Sequence, residues 1–417
     1  MADFPKSWRR TTSTIDSLHG AQHSLEIEIA ALRVLIITKR QYMGKDLLND
    51  RFGRFRELPL RIAQLGHDVT GIAISYRRRK EGTVVDCEPS ANASVTWHSF
   101  NLINGLATPL ECGTRTFQIA RKVKPDLIWA GSDAYQVMFG AWLARRAQAR
   151  CVIDLYDNFE AFGASRLPFV LSSFRQAVKQ ADGVTCFSER LARHVVRTYP
   201  RAKPTMVIEN GVRRDFLDLR NQQECRRQLN LPEGARIIGT AGALDSSRGI
   251  DTLFKAFNLL SRQDNDVHLA MAGPRDRGIR IPTGPNVHDL GVLPHEEVPC
   301  FINALDLAVI CYRQSAQGEF SFPQKAYEIM ACRVPLIAAA VGCMNELLSD
   351  YPGCLYEPEN PQSLAETAFL QLKNRITVPI EVPSWADSAK QLEDFFEKVI
   401  QGDTTSTGTQ PIAEIAR

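Results

Sequence analysis

No stretch of this 417-residue sequence is apolar for the about 20 residues that a bilayer-spanning helix needs, so no membrane-spanning helix is read in it. The first thirty residues lack the uninterrupted apolar core of a secretory signal. Ten cysteines are scattered without a Cys-x-x-Cys pair or a Cys/His set at zinc spacing, which leaves them as small buried residues in a reducing compartment. A large excess of charge of either sign is missing: 50 Lys and Arg stand against 47 Asp and Glu, and the formal net charge of +3 is too little to indicate nucleic acid as a partner. No Gly-x-Gly-x-x-Gly follows the first apolar strand, which argues against a dehydrogenase. These absences suit a cytoplasmic protein, either free or peripheral on the inner face of a membrane.

What is present is enough apolar sequence, 44%, and enough length for two cores. From Arg33 onward, short apolar runs alternate with stretches of helical period, the pattern of a parallel sheet covered on both faces. Strands are predicted at 33–37, 69–74, 126–129, 151–154, 184–187 and 206–208. The alternation restarts at Arg236 and continues through 267–272, 307–310 and 334–338 to a helix over 361–372. A polar helix over 219–229 reads as a linker between two α/β domains. A final amphipathic helix over 386–400 presents Leu392, Phe395, Phe396 and Val399 on one face. The resulting division is a flexible leader (1–30), a first α/β domain (31–218), a second α/β domain (219–384), a final helix (385–401) and a disordered tail (402–417).

Two parallel sheets facing one another line a crevice with strand carboxyl ends and helix amino ends, which favours a phosphate-bearing ligand. The sharpest local signal lies in the segment from Ser321 to Ala338. There Pro323 opens a helix and Lys325 and Glu328 stand three residues apart, on one helical face. A carboxylate so placed accepts two hydrogen bonds from a ribose diol, while the lysine and the helix start face phosphate. The alternative is an ordinary surface ion pair.

This segment resembles the nucleotide-sugar site of the family 4 (group 1) glycosyltransferases, in the subset that reads Pro-x-Lys-x-x-Glu in place of the usual Glu-x7-Glu. The resemblance implies a GT-B fold of two Rossmann-like domains, the first (31–218) an acceptor domain for a glycan or lipid-linked acceptor and the second (219–384) for a nucleotide-diphosphate-sugar donor, with the final helix (385–401) crossing back to the first. It implies that Glu328 binds the ribose. The first motif glutamate maps to Phe320, with Glu319 one residue early as a candidate near the transferred sugar. The turn at Gly242 keeps one of two basic positions, Arg248, and replaces the other by Ala243, so Arg248 and Lys325 are assigned to the diphosphate. His288 falls in the loop that lays the donor base against backbone, and Gly44 fits the glycine that approaches the transferring group. Further partial matches are the Asn210-Gly211 turn and Ala272-Gly-Pro274.

Asp157 and then Glu160, in Asp154-Leu-Tyr-Asp-Asn-Phe-Glu160, are the candidates for contacting acceptor or transferred sugar, with helix or strand capping as the alternative role. The resemblance implies transfer with retention and without a metal, and the sequence is read as showing no Asp-x-Asp metal motif. Inversion with Asp157 as base is the rival. An aromatic and basic segment over 47–65, with Pro59 predicted to kink or split it, reads either as a core helix with a solvated basic side or as a surface for anionic lipid. Tyr76-Arg-Arg-Arg-Lys80 and Arg166-Leu-Pro-Phe-Val-Leu171 add to the second option. Open alternatives of function are a non-catalytic nucleotide-sugar-binding homologue and a sugar-nucleotide epimerase of the same fold.

Overall fold

The computed structural model describes residues 31–42, 45–88, 93–102, 108–161, 167–200, 203–320 and 324–402. The expected leader, all of the expected tail but Gly402, Gly44, Arg166 and the segment Ser321 to Pro323 lie outside the described residues.

Ten strands come from the first half of the chain: β1 (Arg33–Lys39), β2 (Gln41–Tyr42), β3 (Lys45–Asp46), β4 (Asp68–Ser75), β5 (Gly82–Cys87), β6 (Ser94–Asn101), β7 (Leu127–Gly131), β8 (Arg150–Leu155), β9 (Gly183–Cys186) and β10 (Thr205–Val207). β2 and β3 pair as a small antiparallel hairpin. The other eight form one sheet in the order β10-β9-β8-β7-β1-β4-β6-β5, parallel except where β5 meets β6. Its central strands are continuous apolar runs because helices cover both faces. β5 and β6 are not foreseen from apolar runs, for a visible reason. Thr83, Val84 and Val85 are exposed on the edge strand, and β6 alternates buried Val95 and Trp97 with half-buried Thr96 and His98.

The second half forms a wholly parallel sheet from β11 (Arg236–Ala241), β12 (Val267–Ala272), β13 (Val287–Asp289), β14 (Leu307–Ile310), β15 (Leu336–Ala339) and β16 (Leu355–Tyr356), in the order β13-β12-β11-β14-β15-β16. β15 starts two residues after the expected Val334. The preceding helix ends in a Schellman turn: Arg333 takes φ +55°, its N–H donates to the Met330 carbonyl and that of Val334 to the Ile329 carbonyl.

Two further expectations change. The polar helix over 219–229 is Gln222–Gln228, and it is docked rather than a free linker. Its Arg226 is buried, with Nη2 2.6 Å from Asp306 Oδ2 and Nε donating to the Ala304 carbonyl. The segment over 47–65 forms one helix, Arg54–Gln64, which starts after Gly53 and contains Pro59 without splitting. Its arginines do not form a free basic face. Arg54 pairs with Asp154, Arg56 and the preceding Arg51 with Asp86, and Arg61 with Glu88.

The last described helix, Trp385–Gln401, begins at a capping box between Ser384 and Asp387. Leu392, Phe395, Phe396 and Val399 are buried with Val34, Ile36, Trp129 and Val152, so the chain returns to the first sheet. Glu393 seals that return through His67 Nε2 at 2.8 Å, while Nδ1 of the same ring accepts the Leu32 N–H. The crossing is tight at Gly211, where an added Cβ would lie 2.2 Å from the Trp385 nitrogen. Phe396→Ala is expected to cost about 3–5 kcal/mol, read as a lowered urea midpoint at unchanged slope.

Candidate functional site

The site is assembled from strand ends. In the second sheet, β11 and β12 run into Gly242 (φ +124°) and Gly273 (φ +147°). Their backbones touch: a Cβ on Gly273 would come within 1.8 Å of the Gly242 carbonyl oxygen, so only glycine fits. Three residues past Gly242, Asp245 caps the single turn Ser246–Arg248 by accepting the Arg248 N–H at 2.9 Å. Arg248 also pairs with the Asp245 carboxylate at 3.3 Å and lies over the Tyr312 ring at 5.9 Å, just past the end of β14.

The helix Gln324–Ala331 comes after β14, the strand beside β11 in the sheet, and leads into β15. Glu328 is only 5% exposed, which an unpaired carboxylate would not tolerate, and Lys325 Nζ binds its Oε2. The helix is pinned to the junction between the sheets: Gln324 Nε2 donates to the Gly211 carbonyl at 2.8 Å, and Tyr327 bonds Glu209. Burial pushes the Glu209 carboxyl up, partly offset by Tyr327.

The first sheet contributes the carboxyl ends of β1, β7 and β8, which are neighbours in that sheet. Lys39 ends β1, Ser132 and Asp133 follow β7, and Tyr156 and Asp157 follow β8. Burial raises the Asp157 carboxyl to about 6, against the opposing pull of the Asn158 N–H and Lys39. Tyr42, from the β2–β3 hairpin, packs edge-on to Tyr156 with ring centres 5.1 Å apart. Burial raises its phenol pKa, helped by Asp157 and by Tyr312 and opposed by Arg248 and Arg54. Tyr42 thus sits where residues of both sheets meet.

A second crossing point is His295. Its ring lies 5.5 Å from Phe52, and burial pushes it down to about 4, with Arg213, Lys325 and Lys45 adding to the effect against Asp215. Lys45 comes from the hairpin and Lys325 from the Glu328 helix, so cations from both sheets converge there. A third crossing is ionic: Arg190 binds Glu319 and Glu346, and Arg193 binds Glu346 at 2.8 Å. Phe320 packs beside it on His194, with ring centres 4.8 Å apart.

The structure brings Glu328, Lys325, Arg248, Gly242 and Asp157 to this crevice region and gives three other candidates different work. Burial acts against ionised Glu160, but Arg175 and Tyr199 bind it and hold it below the usual carboxylate range. Glu319 is held by Arg190 across the sheet junction. His288 Nε2 lies 2.9 Å from His268 Nδ1 in a stacked pair, so its ring is engaged within the second sheet. Gly44 lies outside the described residues. Asp154 is buried beneath the site, bonded to Arg54 and to the Thr185 hydroxyl.

Contrary to the expectation of no Asp-x-Asp motif, the sequence contains one such run, Asp264-Asn265-Asp266. It precedes β12 at the amino end of the strand, opposite the crevice, and Asp264 is bound by Arg236. Sequence reasoning missed Lys39, Tyr42, Lys45, Asp133, His295 and Tyr312. Asp157 stands a few residues past a predicted strand end, and so do Lys39, Asp133 and Tyr312, which is the signal that could have found them.

Comparison with known proteins agrees with this layout. Residues 54–211 match the family described as Glycosyl transferase 4-like domain, and residues 235–374 match Glycosyl transferases group 1. Sucrose-phosphate synthase from Thermosynechococcus elongatus superposes with a TM-score of 0.67 at 18% identity, over 89% of this chain and 99% of that one. HepE of Anabaena, solved in complex with UDP, gives 0.62 at 19% identity, over 89% and 97%. In sequence, the D-inositol 3-phosphate glycosyltransferase of Salinispora tropica is 28% identical over 46% of this chain and 44% of its own length. The chain spans about half the length of the curated relatives it matches. With one matching domain on each sheet and a shared architecture across the crevice, the chain belongs to the group 1, family 4 glycosyltransferases and has their GT-B fold.

Proposed function

We propose that the protein transfers a sugar from a nucleotide-diphosphate-sugar to a hydroxyl of a glycan or lipid-linked acceptor, binding the donor on the second sheet and the acceptor on the first. The observation that carries this reading is the buried Glu328, held ready by Lys325 on a helix pinned to the sheet junction. Glu328 accepts the ribose diol, which frees Lys325 to meet the diphosphate together with Arg248. Gly242, where an added Cβ would meet open space, leaves room for phosphate against backbone. The donor base lies along the backbone of 288–292, since the His288 ring is engaged by His268. HepE, of the same fold, was solved with UDP and with UDP-glucose, which supports a donor of that class.

In the transfer, the bond from the anomeric carbon to the phosphate oxygen breaks and a bond to the acceptor oxygen forms. Charge grows on the leaving diphosphate, where Lys325 and Arg248 stabilise it without a metal ion. With retention, the acceptor proton passes to the departing phosphate oxygen on the same face. Thermal shift with a panel of nucleotide sugars, then transfer assayed with EDTA and the product anomer read by NMR, tests the reading. It falls if no nucleotide sugar binds, or if wild type binds donor but neither transfers nor hydrolyses it.

A second reading, inversion with Asp157 as general base, is favoured by the Asp157 carboxyl at about 6, close to where a base works best. Asp157→Asn separates the two. If Asp157 is the base, an acid limb near pH 6 in the rate profile disappears and the rate falls by about 100-fold or more, with donor affinity kept. Stability gives an independent sign. The folded-state pKa is raised, so the stability Asp157 adds is full below about pH 4 and is lost as the pH rises through 6. The Asn variant is therefore expected to unfold at a higher temperature than wild type at pH 8, by the equivalent of about 1–2 kcal/mol.

The arginines of the Arg54 helix are neutralised, so the lipid reading rests on exposed Arg77, Arg78, Leu167 and Phe169. Sedimentation with phosphatidylglycerol vesicles at physiological salt tests it, and no sedimentation removes it.

A further inference from the structure

We infer that Lys39, Asp133 and Asp157 together form an acceptor subsite for an uncharged polyol, such as a sugar ring with neighbouring hydroxyls, and that Asp133 turns away phosphorylated acceptors. The inference rests on the transferase reading above and adds the chemistry of the group that receives the sugar.

The three side chains leave the carboxyl ends of adjacent parallel strands β1, β7 and β8. The backbone under them is held in a costly shape. Ser132 takes φ +86°, which a residue with a Cβ rarely adopts, and it is buried. Its hydroxyl accepts the Lys39 N–H at 2.6 Å, and its carbonyl accepts the Tyr156 hydroxyl at 2.9 Å. That one residue therefore sets the relation between the ends of all three strands.

Polar capacity is left over above this backbone. Lys39 Nζ is 3.9 Å from Asp133 Oδ2, an ion pair too long for a hydrogen bond, and no hydrogen bond from that ammonium is made among the described residues. The side chains of Lys39 and Asp133 are each only 24% exposed, so water does not fully replace what is missing. Asp157 accepts one short bond, from the Asn158 N–H. Asp133 Oδ1 accepts the Tyr135 N–H at 3.0 Å and the Gln136 N–H at 3.4 Å, lies 3.4 Å from the Tyr76 hydroxyl and is met by the Gln136 amide, which leaves Oδ2, the oxygen facing Lys39, as the more open one. Burial raises both carboxyls and Lys39 pulls both down, which places one ammonium within electrostatic reach of the pair.

Such a trio suits hydroxyl groups, each of which donates to a carboxylate and accepts from the ammonium. It does not suit a phosphate. Two carboxylates against one lysine leave net negative charge when ionised, and a phosphate oxygen has no proton to offer them. Repulsion of that kind is an economical means of specificity, because it rejects the wrong partner without a closer fit to the right one. The contrast with relatives is specific, since several are named for a phosphorylated inositol.

The test uses the full chain saturated with UDP. Saturation-transfer NMR compares methyl glucoside, methyl mannoside and myo-inositol with glucose 6-phosphate, mannose 6-phosphate and inositol phosphate. Wild type is expected to bind at least one neutral polyol about tenfold or more tightly than its phosphate ester. Asp133→Asn keeps a good helix cap, so the fold is retained while the charge is lost. It is expected to cut that preference by about tenfold or more, and Lys39→Met to abolish polyol binding without changing UDP affinity. A wild-type preference for the phosphate esters, binding of neither class, or an unchanged preference in Asp133→Asn overturns the inference. Failure to bind UDP would instead remove the transferase reading itself.

Discussion

Glu328→Gln is expected to weaken binding of the donor nucleotide by roughly 10- to 100-fold while the protein stays folded, because two hydrogen bonds to a charged carboxylate are replaced by at most one good one to a neutral amide. The substitution is clean. Glutamine keeps the shape of a buried side chain, and the released Lys325 is 26% exposed, so its charge finds water. Lys325→Met is the poorer experiment, since it strands a carboxylate that is almost wholly buried and confuses instability with lost affinity. Isothermal titration with UDP measures the effect, and circular dichroism checks the fold. An unchanged affinity would reduce the Lys325/Glu328 pair to a structural one and leave the donor without its ribose contact.

Arg54→Met should be the most damaging single change to stability outside the cores, at about 3–5 kcal/mol, because it leaves Asp154 charged and without its partner in the interior. Arg54 is 5% exposed and Asp154 is fully buried, with the guanidinium bound to both carboxylate oxygens at 2.9–3.2 Å. The same arginine donates to the Asn210 side chain at 3.0 Å, beside the Gly211 carbonyl that receives Gln324. Its loss therefore also loosens the junction that orients the Glu328 helix. Urea unfolding reads the stability, and adding Asp154→Asn should recover much of it by removing the stranded charge. If the single variant unfolds like wild type, the pair is solvated in solution and cannot act as the joint beneath the site.

The fold was legible because its central strands are apolar on both faces and its longer helices keep their period. The limits of that legibility are physical. β5, β13 and β16 sit at sheet edges, where one side meets solvent and no apolar run is required, and β6, beside the β5 edge, alternates buried and half-buried residues. Docking of the Gln222–Gln228 helix depends on a buried arginine, a residue that sequence pattern assigns to the surface. Within the site, Glu328 and Lys325 could be paired by spacing alone, since three residues along a helix fixes their relation. Lys39 with Asp133, and Tyr42 with Tyr312, could not, since each meeting depends on the order of strands in space. Glu160 and Glu319 had the right chemistry, but distant arginines claim them, and no local motif reports a partner such as Arg190.

The return of the final helix to the first sheet bears on anyone wishing to exchange one half of this molecule for that of a relative. A cut at the junction near Gly211 would divide the sheets but leave the seal of the first one on the wrong fragment. A chimera made to change donor specificity must keep the native segment from Ser384 to Gln401 with the first sheet, whichever protein supplies the residues between.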